Sequence, residues 1–186
     1  MTLVKIAKSI TTPRFATARG FTLIELMVTI GVAGMLTAMA VPAFNNFVLN
    51  DRDIGQINSL AASFNYARSE AIKLNHGGIQ VCPTVDGTHC SGTLWASGWI
   101  VVDTLGDPPL QYVPAFAGTN TLTPTGTSPT GVTFSSTGMV NAPITLKVCD
   151  TRGAGYARDI EVNATGRIAA SQTPGKSVSG AALSCP

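Results

Sequence analysis

The chain has 186 residues, 45% of them hydrophobic, which allows one modest globular domain once an apolar N-terminal stretch is set aside. Its formal charge of +2 misleads, because Lys5, Lys8, Arg14 and Arg19 all precede Gly20; the remainder carries eight basic residues against ten acidic, a net charge of −2. A mildly acidic domain argues against a general nucleic-acid binder, whose affinity rests on neutralising phosphates.

Residues 1–20 read as a basic, disposable leader without an acid. From Phe21 to Leu49 one charged residue, Glu25, interrupts an apolar run. As a helix this run is about 43 Å long, enough to cross a bilayer core of about 30 Å. The four leader cations set its direction by the positive-inside rule, leader in the cytoplasm and main domain across the inner membrane, in the periplasm. Gly31 and Gly34 permit close helix packing, and Pro42 removes a backbone donor and bends the axis. A carboxylate inside a span costs on the order of 2.5–3.5 kcal/mol unless a cation meets it. If the chain is cut between Gly20 and Phe21, the new amine and the positive end of the helix dipole both favour Glu25.

The string Gly20-Phe21-Thr22-Leu23-Ile24-Glu25 resembles the processing site of type IV pilins and type II secretion pseudopilins. The resemblance implies a prepilin peptidase that cuts after Gly20 and methylates the Phe21 amine. It also implies that Glu25 pairs with the amine of a neighbouring subunit during fibre assembly, so the partners are that peptidase, other pilins or pseudopilins and inner-membrane lipid. An ordinary secretory signal, cut after Ala38-Met39-Ala40, leaves the Arg-Gly end of the leader and the placement of Glu25 unexplained. A plain single-span anchor makes Glu25 incidental.

Over residues 50–76 the apolar positions Ile57, Leu60, Ala61, Phe64, Ala67, Ala71 and Leu74 recur at three- and four-residue spacing. Arg52, Asp53, Asn58, Arg68, Glu70 and Lys73 fall mostly between them, which predicts an amphipathic helix ended by Asn75-His76-Gly77-Gly78. Residues 77–186 then change to short β-type runs separated by turn residues. Strands are predicted near Ile79–Pro83, Gly98–Asp103, Leu110–Pro114, Val132–Ser135, Ile144–Cys149, Ala157–Asn163 and Arg167–Ser171, with Ala117–Thr130 a mobile Thr/Pro/Gly loop. The fold class is α+β: a long N-terminal transmembrane and amphipathic helix packed against an antiparallel sheet. The stretches Ala67-Arg68-Ser69-Glu70-Ala71, Val81-Cys82-Pro83 to Cys90, Trp95 to Val101, Val148 to Gly153 and Asn163 to Arg167 resemble the globular part of the GspH/FimT/FimU group of minor pilins and pseudopilins.

Four cysteines beyond the span, Cys82, Cys90, Cys149 and Cys185, suit two disulfides in an oxidising compartment. Local closure favours Cys82 with Cys90, leaving Cys149 with Cys185, among three connectivities. A zinc site of Cys82, Cys90 and His89 lacks the usual ligand spacing, and Asp86, Asp103 and Asp107 lack an EF-hand pattern and read as turn residues. With His76 and His89 as the only histidines, no catalytic relay is well placed, so the chain reads as non-enzymatic and without a cofactor or metal. Trp95 and Trp99 could anchor a partner, but Trp99 alternates with Val101 and reads as core. The FimT branch implies DNA as a possible partner through a C-terminal Gly-Arg-x-Arg segment. Here the matching residues are Gly166-Arg167-Ile168-Ala169, without the second arginine. Arg152, Arg158, Arg167 and Lys176 could still form a basic strip, interrupted by Asp150, Asp159 and Glu161. The resemblance favours a minor subunit of a type IV pilus, with a GspH-type subunit of type II secretion as the alternative.

Overall fold

The computed structural model describes residues 20–106, 108–116, 118–126 and 129–186, so the leader lies almost wholly outside the described residues. Helix α1 runs from Leu23 to Lys73 and continues through Pro42. The chain forms two compact units, one ending at Ala43 and one spanning Phe44–Pro186. In the first, every described side chain is exposed, including Phe21 at 82%, and exposure continues along the helix to Val48. So much uncovered apolar surface is the signature of a helix whose solvent is lipid or other helices.

The second unit packs one face of α1 against two antiparallel four-stranded sheets. The strands are β1 (Ile79–Pro83), β2 (Gly98–Asp103), β3 (Gln111–Pro114), β4 (Thr121–Gly126), β5 (Val132–Phe134), β6 (Ile144–Cys149), β7 (Arg158–Val162) and β8 (Ile168–Ala170). One sheet has the order β3-β2-β1-β5, the other β4-β6-β7-β8. The sequence reading expected a single sheet; the split arises because β5 adds beside β1 while β6 pairs with β4 and β7.

The larger correction is β4, which lies within the expected mobile loop and pairs with β6 from Thr121 opposite Cys149 to Gly126 opposite Ile144. Alternating threonines with Leu122 turned inward make a good pleated surface. Pro124, which argues against a central strand, is tolerated because β4 is an edge. The helix contributes Ile57, Leu60, Phe64, Ala67 and Ala71 to the core, where they meet Val81, Trp99, Val101 and Phe134 of one sheet and Leu146, Val148, Ile160 and Val162 of the other. Trp95 and Trp99 are both fully buried, their indole N–H groups donating to the Pro129 carbonyl and the Ser63 hydroxyl, each at 2.9 Å. Helix α1 stops three residues before the expected end, and Asn75 takes the left-handed conformation (φ 52°) that breaks it.

Disulfides join Cys82 to Cys90 and Cys149 to Cys185, closing spans of 8 and 36 residues. Their sulfurs are therefore committed to covalent bonds and not to zinc. Because a cross-link restricts the unfolded chain more when its loop is longer, replacing Cys149 and Cys185 by serine should cost about 4 kcal/mol and replacing Cys82 and Cys90 about 2.5 kcal/mol. Denaturant titration of the two double variants checks both the order and the size.

Candidate assembly site and domain clamp

At the start of α1 the residues named from sequence lie together. Gly20, Phe21 and Thr22 precede the helix, whose first residue is Leu23. The Thr22 hydroxyl accepts the Glu25 backbone N–H at 3.2 Å, and the Thr22 N–H donates to the Glu25 carboxylate at 3.5 Å. This is a reciprocal capping box, readable from the spacing Thr22-x-x-Glu25, which a reading of Glu25 as a charge beside the new amine and the helix dipole overlooks. Glu25 thus has two capacities: one carboxylate oxygen holds its own helix start, and the exposed remainder is open to a cation.

A second constellation ties α1 to the turn after β6. Asp150, directly after disulfide-bonded Cys149, accepts the Arg152 backbone N–H at 2.8 Å and the Arg152 Nε–H at 2.6 Å. The same guanidinium reaches the Asp53 carboxylate at 3.1 Å and the Asn46 carbonyl at 3.1 Å, with the Tyr156 ring 4.2 Å from its central carbon. Asn120, just before β4, donates to Asp53 at 2.6 Å and to Gln56 at 3.1 Å. Helix, edge strand and turn meet in one buried polar cluster. The sequence reading put Asp53 on the solvent side, but it is 1% exposed. The signal was there: Asp53, Ile57 and Leu60 share one helical face at i, i+4 and i+7.

Two carboxylates around one guanidinium leave a negative charge uncompensated. Burial first, then the neighbouring Asp150, push Asp53 up to about 6, against the opposing pull of Arg152 and Asn120. Burial acts to raise Asp150 too, but hydrogen bonds and charge from Arg152 outweigh it and hold that carboxyl below its usual range.

The four basic candidates do not form one strip. Arg152 is taken up by Asp53 and Asp150, with its side chain 10% exposed, and Arg158 is buried against Asn50 and Gln172. Arg167 and Lys176 remain exposed. Arg152 and Arg158 face α1 because a long cationic side chain at the end of β6 or the start of β7 finds polar helix groups there. Gly166, read as the first residue of a DNA motif, has a local steric reason: at φ 73° a Cβ there would overlap the Gly138 carbonyl oxygen.

Both histidines pair with aspartates, one at the end of β2 and one in the turn after β1. His76 Nε2 lies 3.1 Å from Asp103, and His89 Nδ1 lies 3.1 Å from Asp86. Asp86 also accepts the N–H groups of His89 and Thr88, and these backbone bonds hold its carboxyl well below the ordinary range. The Thr88 hydroxyl and Asp86 contact the same His89 nitrogen, whereas a nucleophile relay needs one partner on each side of the ring.

Comparison with known proteins accounts for both halves of this arrangement. Residues 56–166 match the family model described as type II transport protein GspH, and residues 16–41 match the prokaryotic N-terminal methylation motif. The chain belongs to the GspH family. Over 65 residues this GspH-family chain is 40% identical to prepilin peptidase-dependent protein D of Escherichia coli strain K12, a match covering 34% of the chain and 42% of that relative's length. Its fold is that of the type IV minor pilin FimU of Pseudomonas aeruginosa strain PAO1. In one crystal form the TM-score is 0.53 at 23% identity, over 68% of this chain and 98% of FimU; in another it is 0.52 at 24%, over 70% and 97%. The core elements of the fold, α1 from Gln56 onward through β8's approach at Gly166, coincide with the span of the GspH match.

Proposed function

We propose that this GspH-family chain is a minor type IV pilin, made as a prepilin, cut after Gly20 by a prepilin peptidase, methylated at the Phe21 amine and assembled with other pilins into an extracytoplasmic fibre. The observation that carries this reading is Glu25, the sole charge on an exposed apolar helix, five residues after the cut site within the methylation motif. Residues 21–49 hold the subunit in the inner membrane, and the domain beyond them lies in the periplasm. During assembly the Glu25 carboxylate meets the Phe21 amine of a neighbour, and the domain contributes lateral contacts rather than catalysis. The FimU likeness in fold supports the pilus; the GspH match supports a second reading, a minor pseudopilin of type II secretion.

The test is to sequence the mature N-terminus and probe sheared fibres for the chain. A start at Phe21 and presence in pili are expected; presence only in secretion pseudopili favours the second reading. An uncut chain, or one starting at Val41, overturns both.

A further inference from the structure

Arg152 has two carboxylates; Arg158, six residues on, has none among the described residues. Arg158 is 9% exposed and makes two long hydrogen bonds to neutral acceptors, to Asn50 Oδ1 at 3.3 Å and to the Gln172 carbonyl at 3.5 Å. Its buried Nε has no partner among the described residues. The adjacent acid, Asp159, is directed elsewhere, accepting the Val178 N–H at 3.1 Å. A guanidinium cannot shed its proton, so a buried one without a counter-charge is a standing cost that an outside anion would offset.

An opening to this group exists. A cavity of about 260 Å³ lies between α1, which supplies Ile54, Ile57 and Asn58, and the ends of β7 and β8, which supply Arg158, Ser171 and Gln172. The Arg158 guanidinium meets α1 at Asn50, two residues and about 3 Å of helical rise past the end of the exposed apolar run at Val48, and the cavity extends outward from there past Ile54 to Ile57. The headgroup layer begins where the hydrocarbon core ends and is roughly 5–8 Å thick on each side. The cavity thus combines an under-compensated cation, apolar flanks from Ile54 and Ile57, and hydrogen-bonding groups from Asn58 and Gln172, at the point where α1 leaves the bilayer.

We propose that this cavity binds the phosphodiester of a phospholipid headgroup through Arg158, seating the domain against the membrane before assembly. The inference rests on the membrane-held subunit described under Proposed function. A bound phosphate completes the hydrogen bonding of the guanidinium, and it is lost when the subunit leaves the bilayer.

The experiment uses the processed full-length chain in maltoside, a detergent without phosphate, and follows thermal unfolding while short-chain phosphatidylglycerol, short-chain phosphatidylcholine or inorganic phosphate is added. Both lipids should raise Tm, by roughly 5 °C at a hundredfold excess over Kd. Arg158→Gln should remove the response and, in maltoside alone, leave Tm equal or higher, because an unpaired charge has gone. Asn58→Trp, which obstructs the cavity with Arg158 intact, should also remove it, and Arg167→Gln should not. No shift, an equal shift in all variants, or a shift reproduced by inorganic phosphate alone overturns the lipid site. Alkaline carbonate extraction separates the two levels of the argument: release from membranes overturns the membrane reading and this site together, whereas retention without a Tm response overturns this site only.

Discussion

Glu25→Gln is expected to leave the protein cut after Gly20 and held in the membrane, yet absent from sheared fibres. The substitution distinguishes the two capacities of this side chain. Glutamine still accepts the Thr22 N–H, so the capping box survives and the helix start loses only a few tenths of a kcal/mol of dipole interaction. What it cannot do is neutralise an ammonium in an apolar surrounding, where a lost charge pair is worth several kcal/mol. Incorporation should therefore fall at least tenfold in both Glu25→Gln and Glu25→Ala. If Glu25→Gln assembles normally while Glu25→Ala does not, Glu25 acts through the cap and the electrostatic account of assembly fails. Immunoblots of sheared fibres against membrane fractions read the result.

Arg152→Ala should destabilise the domain by about 3–5 kcal/mol at neutral pH, since it strands Asp53 and Asp150 side by side in a buried site. The loss should shrink in acid. The folded-state pKa of Asp53, about 6, lies above its value near 3.9 in an unfolded chain, so the folded form holds that proton more tightly. The stability this carries is fully present below about pH 4 and is lost as pH rises through about 6. Asp150 is shifted the other way, and its contribution is present above the unfolded value and lost only below it. Between pH 4 and 6 the parent domain should therefore gain stability from Asp53 on acidification. Asp53→Asn should flatten that part of the profile, a difference that thermal melts at closely spaced pH values detect. An unchanged profile in Asp53→Asn would remove Asp53 as its source.

The elements whose hydrophobic pattern follows one period were legible in the sequence. The apolar run, the spacing from Ile57 to Ala71 and the strands at Ile79–Pro83, Gly98–Asp103 and Ile144–Cys149 all lie where the pattern puts them. β4 was not legible, because Thr121, Thr123, Thr125 and Pro124 are loop-like in composition, and only pairing with β6 makes them a strand. The clamp was hidden for a different reason. Asp53 and Arg152 are 99 residues apart, and polar residues at core spacing look like interruptions of a face until their partners are known. Arg152 and Arg158 count toward one nucleic-acid strip with Arg167 and Lys176 when charge is read along the chain, whereas the direction of a long side chain is decided by what packs over it.

The way α1 begins bears on how the leader is removed. Its capped first turn starts at Leu23, the Thr22 carbonyl accepting the Leu26 N–H at 3.1 Å, and Gly20 and Phe21 lie outside the helix. Proteases take their substrates as extended backbone, and a scissile bond inside a helix would first have to be melted out. The proposed cut site, the bond between Gly20 and Phe21, is already outside the coil, and the Thr22 lock would keep unwinding from spreading into the apolar segment during cleavage.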